Sequence, residues 1–300
     1  MVPIVKEENL GEDMAIDEKK IGNNMYTVLS NRQTGKIALL ASTLKTKILA
    51  ETMRSFGTKV FEVKTVTRDL SPSYDWLIRQ VFMNSTHIAD KFHVHTHLFD
   101  ALQSMRIYHR QQELTKRRIK YEEFKNKEIL RKQLCRQNNI EYKPERFIYK
   151  EPNLSNGETK RELLARSVYL LYKLPYKWTS SQSQRSEILF KLYPDIKTAY
   201  ELCLEFRIWY GKINIGQNIM DIRSSLSQWY MDVEKANIEE MLNFKSLVER
   251  NEPYILNYFI TGKTNANAEA LNAKIQNFIH SNLGARDINF FLFRLRNYFS

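Results

Sequence analysis

The chain has 300 residues, of which 43% are apolar and 12% aromatic, enough to build a core and to exclude a disordered protein. Its 46 basic residues against 34 acidic ones give a net charge of +12, an excess that favours a polyanionic partner, nucleic acid before an anionic membrane surface. No run approaches the roughly 18 apolar residues of a spanning helix, the N-terminus lacks the order of a signal peptide, and Cys135 and Cys203 stand alone, so a membrane span, secretion, a disulfide framework and a cysteine zinc site are not expected.

In chain order, residues 1–13 read as a leader. "MAIDEK", "MYTVLSN" and "KIALLAS" then read as three short strands, the last two joined by the hairpin-like "NRQTG". "LKTKILAETMRSFG" places Leu44, Ile48, Leu49, Met53 and Phe56 at helical spacing and closes on Gly57. "KVFEVKTVTRD" returns to strand composition and ends on Asp69. "LSPSYDWLIRQVFMN" predicts a helix with Ser71 as N-cap and Pro72 in its first turn, and "THIAD" a fifth strand ending at Asp90. The order β-β-β-α-β-α-β, with the last two strands joined through a helix as a parallel crossover requires, matches an RNase H-like mixed sheet of the α/β class.

Strand signals stop there. Residues 98–260 read as a large all-helical insertion in which "FDALQSMRIYHRQQELTKRRIKYEEFKNKEILRKQLCRQ" is a long charged helix. Residues 261–300 add two more helices, completing the core begun by residues 14–97. Asp17 thus lies in the first expected strand, Asp69 at the end of the fourth, and Glu269 at the start of the first helix after the insertion. If the first and fourth strands are neighbours, the three acids converge. A few carboxylates together with substrate phosphates are what magnesium accepts, and two such ions roughly 3.5–4 Å apart serve phosphodiester displacement.

Three stretches, "TRDLSPSYDWLIRQVFMNSTHIADKFHV", "SVYLLYKLPYKWTSSQSQRSEILFKLYPDIKTAYELCLEFR" and "TNANAEALNAKIQNFIHSNLGARDINFFLFRLRNYF", together resemble the DDE transposases of bacterial insertion sequences in the ISL group. The resemblance runs from about Ala15 to Phe299 and implies an RNase H-like catalytic domain. It places the catalytic, metal-holding acids at Asp17, Asp69 and Glu269, binding two Mg²⁺ or Mn²⁺ ions, with Asp90, His93, Asn265 and Asn272 in support. Asp90-Lys91-Phe92-His93-Val94 matches the family's box residue for residue, whereas Ala266 and Ala270 stand where the family usually has glycine. The family's N-terminal zinc-binding and helix-turn-helix region has no counterpart ahead of Asp17. Two alternatives follow: a separate polypeptide recognises the element ends, or the element is a shortened one.

The implied activity is Mg²⁺-dependent cleavage and strand transfer on double-stranded DNA at element ends, by a homodimer in the bacterial cytoplasm, associated with the nucleoid. A resolvase-type nuclease of the same fold and a decayed transposase that only binds DNA are the alternatives. Arg106, Arg110, Lys116, Arg117, Arg118, Lys120 and Lys274 are candidates for phosphate contacts, although a solvated face is the ordinary meaning of such a run. His93 and His97 would share one helical face, a spacing that suits zinc, but no glutamate stands between them as in HExxH.

Overall fold

The computed structural model describes residues 4–21, 24–263, 266–281 and 288–299, without the side chains of residues 266–269, 271–272, 279–280, 288–289 and 296. Six strands form one mixed sheet: β1 (Ile4–Val5), β2 (Asp13–Ile21), β3 (Asn24–Asn31), β4 (Ile37–Ala41), β5 (Thr65–Arg68) and β6 (Thr86–Ala89), in the order β1-β4-β3-β2-β5-β6. The β1–β4, β4–β3 and β3–β2 pairs are antiparallel; β2–β5 and β5–β6 are parallel. The strands expected first and fourth, β2 and β5, are therefore neighbours. Helices α1 (Thr46–Arg54) and α2 (Pro72–Val81) supply the crossovers.

Local chemistry explains these elements. The Asn31 carboxamide accepts from the N–H groups of Gln33 and Thr34, and Gly35 takes φ of +70°, so "NRQTG" closes the β3–β4 hairpin. Ser71 caps α2 by accepting from Ser73 N, with Pro72 in the first turn. Both faces of the sheet are covered, which is why β4 reads as a continuous apolar run. On one face Met14, Ile16, Leu39 and Val66 pack with Leu49, Met53, Leu77 and Ile78 of α1 and α2. On the other, Ile21, Tyr26, Val28 and Leu40 pack against Ile275 of α10 (Ala266–Ser281) and against Phe291 and Leu295 of α11 (Ile288–Tyr298).

Two elements differ from expectation. Ile4 and Val5 of the expected leader form an edge strand on Leu40 and Leu39, continued by Lys6 N donating to Ala38 O. The strand expected from Lys59 begins only at Thr65. Gly57, at φ +61°, ends α1 and opens a six-residue 3₁₀ turn that buries Val60 against the α1–α2 face and leaves Phe61 in solvent.

The chain divides into two compact units. The sheet-bearing unit comprises Met1–His97, Trp209–Gln228 and Lys245–Ser300; the other comprises Leu98–Ile208 and Trp229–Phe244 and is helical where it is ordered into elements. In the helical unit Leu163, Leu164, Leu170, Leu189, Ile196, Cys203 and Phe206 are fully buried. Its deepest charge is Glu158, whose carboxylate accepts from Arg185 at 2.7 and 3.1 Å and from Arg166 at 3.0 Å. The Arg185 bonds, against the opposing effect of burial and helped by Arg166, pull its pKa down to about 2.

Two outcomes follow from this packing. Leu295→Ala, which empties the α11 contact with the sheet, is expected to lower the unfolding free energy by roughly 2–5 kcal/mol in urea denaturation. A folded pKa below the ordinary 4.5 means that Glu158 stabilises fully above that pH and loses the contribution as pH falls toward about 2. Glu158→Gln is expected to remove about 3 kcal/mol at pH 7 and to flatten the acid limb of stability against pH.

Candidate active site

The parallel register places the candidate acids. Ala15 pairs with Thr67 and Arg68 with Ala89, so Asp17 and Asp69 come level two residues beyond the β2–β5 ladder, and Asp69 and Asp90 one residue beyond the β5–β6 ladder. Alternation of side chains assigns faces. Met14 and Ile16 lie on the α1–α2 face, so Asp17 takes the opposite one, where its partner Val28 packs. Glu18 turns the other way and accepts from Tyr74 Oη of α2 at 3.0 Å. Of the two adjacent acids, Asp17 is therefore the one on the face over which α10 packs.

His93 sits in the first turn of α3 (Lys91–Gln137), which begins directly after Asp90. Its Nε2 is 3.7 Å from Asp17 Oδ1 and 3.8 Å from Asp90 Oδ2. The interaction with Asp17 foremost, against burial, and then the charges of Asp90, Asp17 and Asp69 hold the imidazole above its ordinary pKa. Asp90 caps the helix by accepting from Phe92 N at 3.0 Å, and Asp69 accepts from Ser71 N at 2.9 Å. Lys19 Nζ lies 3.7 Å from Asp17 Oδ2. Asp17 and Asp90 thus share one imidazole that also feels the charge of Asp69, and the mutual repulsion of the carboxylates is offset by His93 and Lys19.

Among the described residues no set of three or more acids, histidines or cysteines is drawn closely enough together to enclose an ion. The donor chemistry nevertheless fits a hard cation: Asp17, Asp69 and Asp90 offer carboxylate oxygens, the ligands that magnesium and manganese take. It does not suit zinc, since His93 turns to the carboxylates while His97 is exposed. Asn265 lies outside the described residues. Glu269 and Asn272 fall within helix α10, but their side chains lie outside the described ones.

The basic candidates divide. Arg106 is a correction: its side chain is buried, with Nη1 donating to Leu164 O at 2.9 Å and Nε to Gln103 Oε1 at 2.6 Å, so it serves the interior of the helical unit and cannot meet a phosphate. Arg110 is half-buried. Lys116, Arg117, Arg118, Lys120 and Lys274 are exposed, with Lys116 paired to Glu113 and Lys120 to Glu123.

Two groupings had no signature in the sequence. The first is the meeting of His93 with Asp17, residues distant in the chain whose only hint was the Asp-Lys-Phe-His-Val box. The second surrounds Arg68, which donates to Asp75 at 3.2 Å and lies 4.5 Å from the ring centroid of Tyr254. Asp75 also accepts from Arg79 at 3.0 Å and lies 3.2 Å from His87 Nδ1, and burial holds His87 below its ordinary pKa despite that carboxylate.

A protein-family model described as a transposase, of the ISL3 group of DDE enzymes, matches residues 14–295. Neither a curated protein nor a solved structure matches the chain.

The box residue Lys91 illustrates what such a motif holds in place. Its ammonium donates to Tyr210 O and, at 3.2 Å, to Tyr258 Oη, and it stands 4.9 and 4.7 Å from the centroids of those two rings. Burial first, and Lys212 second, push its pKa down to about 8. The unfolded chain therefore binds more protons between about pH 8 and the ordinary 10.5, and stability is expected to rise with pH across that window. Urea midpoints between pH 8 and 10 measure the rise; Lys91→Met is expected to flatten it.

Proposed function

This chain belongs to the ISL3-group DDE transposase family, and we propose that it is the catalytic subunit of an insertion-sequence transposase that cuts and joins DNA at the ends of the element. The observation that supports the reading most is the alignment of Asp17, Asp69 and Asp90 at one sheet edge, with His93 reaching two of them and α10, the helix of Glu269, packed on the same face.

In this reading Asp17, Asp69 and Glu269 hold two Mg²⁺ or Mn²⁺ ions, which when bound supply charge stabilisation at the scissile phosphate and a more acidic attacking hydroxyl. The protein's own residues do the rest. Asp17 stays on the buried register of β2, so its carboxylate cannot drift along the sheet. Asp69 is held by Ser71 N at the start of α2. His93, whose pKa the interaction with Asp17 raises, bridges Asp17 and Asp90, lowers the repulsion within the carboxylate set and fixes the Asp17 rotamer. Water is the attacking group in the first displacement, which frees a 3′-hydroxyl at the element end; that hydroxyl attacks target DNA in the second. The exposed basic residues Lys116, Arg117, Arg118 and Lys120 contact phosphates without reading sequence. A homodimer processes two ends together.

The test is end cleavage and strand transfer in Mg²⁺ on a duplex carrying the element's terminal repeats. His93→Ala and Asp90→Asn are expected to reduce the rate by roughly 10–100-fold, as loss of the outer partners of a metal site does. Asp17→Asn, Asp69→Asn and Glu269→Gln are expected to lose more than that. Wild-type rates in Asp69→Asn and Glu269→Gln sink the assignment, and cleavage of any branched or plain duplex without strand transfer assigns the chain to a nuclease instead.

A further inference from the structure

The chain approaches α10 through a tightly held turn at the end of α9 (Glu239–Thr261). Gly262 takes φ of +64° and donates to Tyr258 O at 2.9 Å, the left-handed residue with which many helices end. A side chain there would meet Ile215 at 3.1 Å, so the glycine also sets how closely the chain passes. Thr261 Oγ1 donates to Asn257 O at 2.8 Å and accepts from Lys263 N at 3.4 Å. The Lys263 ammonium then donates to Oδ1 of Asp13, the first residue of β2.

Asp13 is 7% exposed, and a carboxylate goes that deep only when its oxygens are matched. Oδ1 accepts from Thr65 Oγ1 at 2.6 Å as well as from Lys263, Oδ2 accepts from Gln33 at 3.1 Å, and Arg32 brings a second positive charge. The strands do not need Lys263 for their pairing. Asp13 is already in register with Thr65 on β5, and its carbonyl accepts from Arg32 N at 2.8 Å. What Lys263 adds is a link from the sheet to the segment that enters α10.

Position gives that link a use. Side chains alternate along β2, so Asp13 stands on the same face as Asp17, the face on which α10 packs. Only Thr264 and Asn265 separate Lys263 from Ala266, where α10 begins, and three Cα steps of about 3.8 Å keep that start within roughly 11 Å of the Lys263 Cα. Further along the helix, Ile275 is buried against the sheet. Glu269 stands midway in the chain between these two anchors, one ionic and one apolar. Held at Ile275 alone, α10 can tilt about that contact; the ion pair ties its leading end to the strand that carries Asp17. We propose that Asp13 and Lys263 are positioning residues whose ion pair sets α10 against β2 and so fixes the place of Glu269 relative to Asp17. The inference rests on the reading of Asp17 and Glu269 as acids that hold the metal ions.

The experiment is amide hydrogen exchange on the full-length, metal-free chain, paired with a Mn²⁺ titration read from water proton relaxation. Lys263 is partly exposed and Arg32 leaves a cation beside Asp13, so Lys263→Met is expected to fold, which its melting temperature checks. In this variant exchange over Ala266–Ser281 is expected to quicken about tenfold, the worth of a hydrogen bond between charged groups, while the amides of β2 and β5 keep wild-type protection. Mn²⁺ is expected to bind roughly 10–100-fold more weakly. Lys263→Arg, which keeps the charge, is expected to restore both. Wild-type exchange over α10 in Lys263→Met overturns the proposal, as does wild-type Mn²⁺ affinity. Exchange that quickens equally in α10, β2 and β5 overturns it too, since that marks a tie that holds the whole fold. Glu269→Gln keeps the two readings apart. If it binds Mn²⁺ and cleaves DNA as wild type does while Lys263→Met still loosens α10, the ion pair keeps its hold on the helix and Glu269 leaves the metal site. If Glu269→Gln loses Mn²⁺ and Lys263→Met does not, Glu269 stays in the site and the positioning role falls.

Discussion

The parallel pairing of β5 with β2 and with β6 is the constraint on which the sheet edge depends. Side chains alternate along a strand, so a slip of one residue in β2 sends Asp17 to the α1–α2 face and brings Glu18 to the other. That slip is prevented by packing on both sides at once. Met14 and Ile16 are buried under α1 and α2, while Ile21, with Val28 and Tyr26 on β3, is buried under α10 and α11. The apolar residues thus set where a carboxylate stands, and the polar residues need only hold its rotamer. The cost of bringing like charges level at the strand ends is met by the same apolar burial.

Asp13 and Asp17 show how two acids on one pleat of one strand come to differ. Asp13 accepts from Thr65 Oγ1 at 2.6 Å and from Gln33 at 3.1 Å, and Lys263 pairs with it. Burial raises its pKa, but these donors and the nearby Arg32 outweigh that and leave it below the usual carboxylate range. A carboxylate so surrounded is a structural tie between strands and the segment before α10. Asp17, two pleats along, meets an imidazole and a lysine at longer range. The register sets Asp69 and Asp90 level with Asp17, whereas it sets Thr65 and Thr86 level with Asp13.

Much of the sheet was legible because its punctuation is chemical. Asn31 and Gly35 make the β3–β4 turn, Ser71 and Pro72 start α2, and Asp90 starts α3, each through a group visible in the sequence. Hydrophobicity alone was less informative. Val60, Phe61 and Val63 read as strand, yet a glycine with positive φ puts Val60 and Phe61 in a 3₁₀ turn that ends just before Val63, and Val60 and Val63 are buried just as a strand's inner residues are. Charge alone misled at Arg106, whose place in a basic helix gave no sign of the Leu164 carbonyl that takes it inside. Of the candidate site, the strand order pointed to Asp17 and Asp69 on neighbouring strands, where the sheet has them. What stayed hidden was every contact between distant segments: His93 with Asp17, and Arg68 with Tyr254.

Arg68 and Asp69 draw these threads together. Arg68 pairs with Ala89 and points with Val66 and His87 toward the face of α2, where Asp75 and Tyr254 receive it. Asp69 follows at the point where the chain leaves the sheet and is turned by Ser71. A strand delivers adjacent side chains to opposite faces, so of two consecutive residues one ties β5 to α2 while the other joins the level row of carboxylates, with no extra loop. The two positions are also mechanically joined, because Arg68 donates to the Asp69 carbonyl. Whatever shifts the Arg68 guanidinium, including loss of Asp75 or Tyr254, therefore acts on the backbone that carries the Asp69 carboxylate.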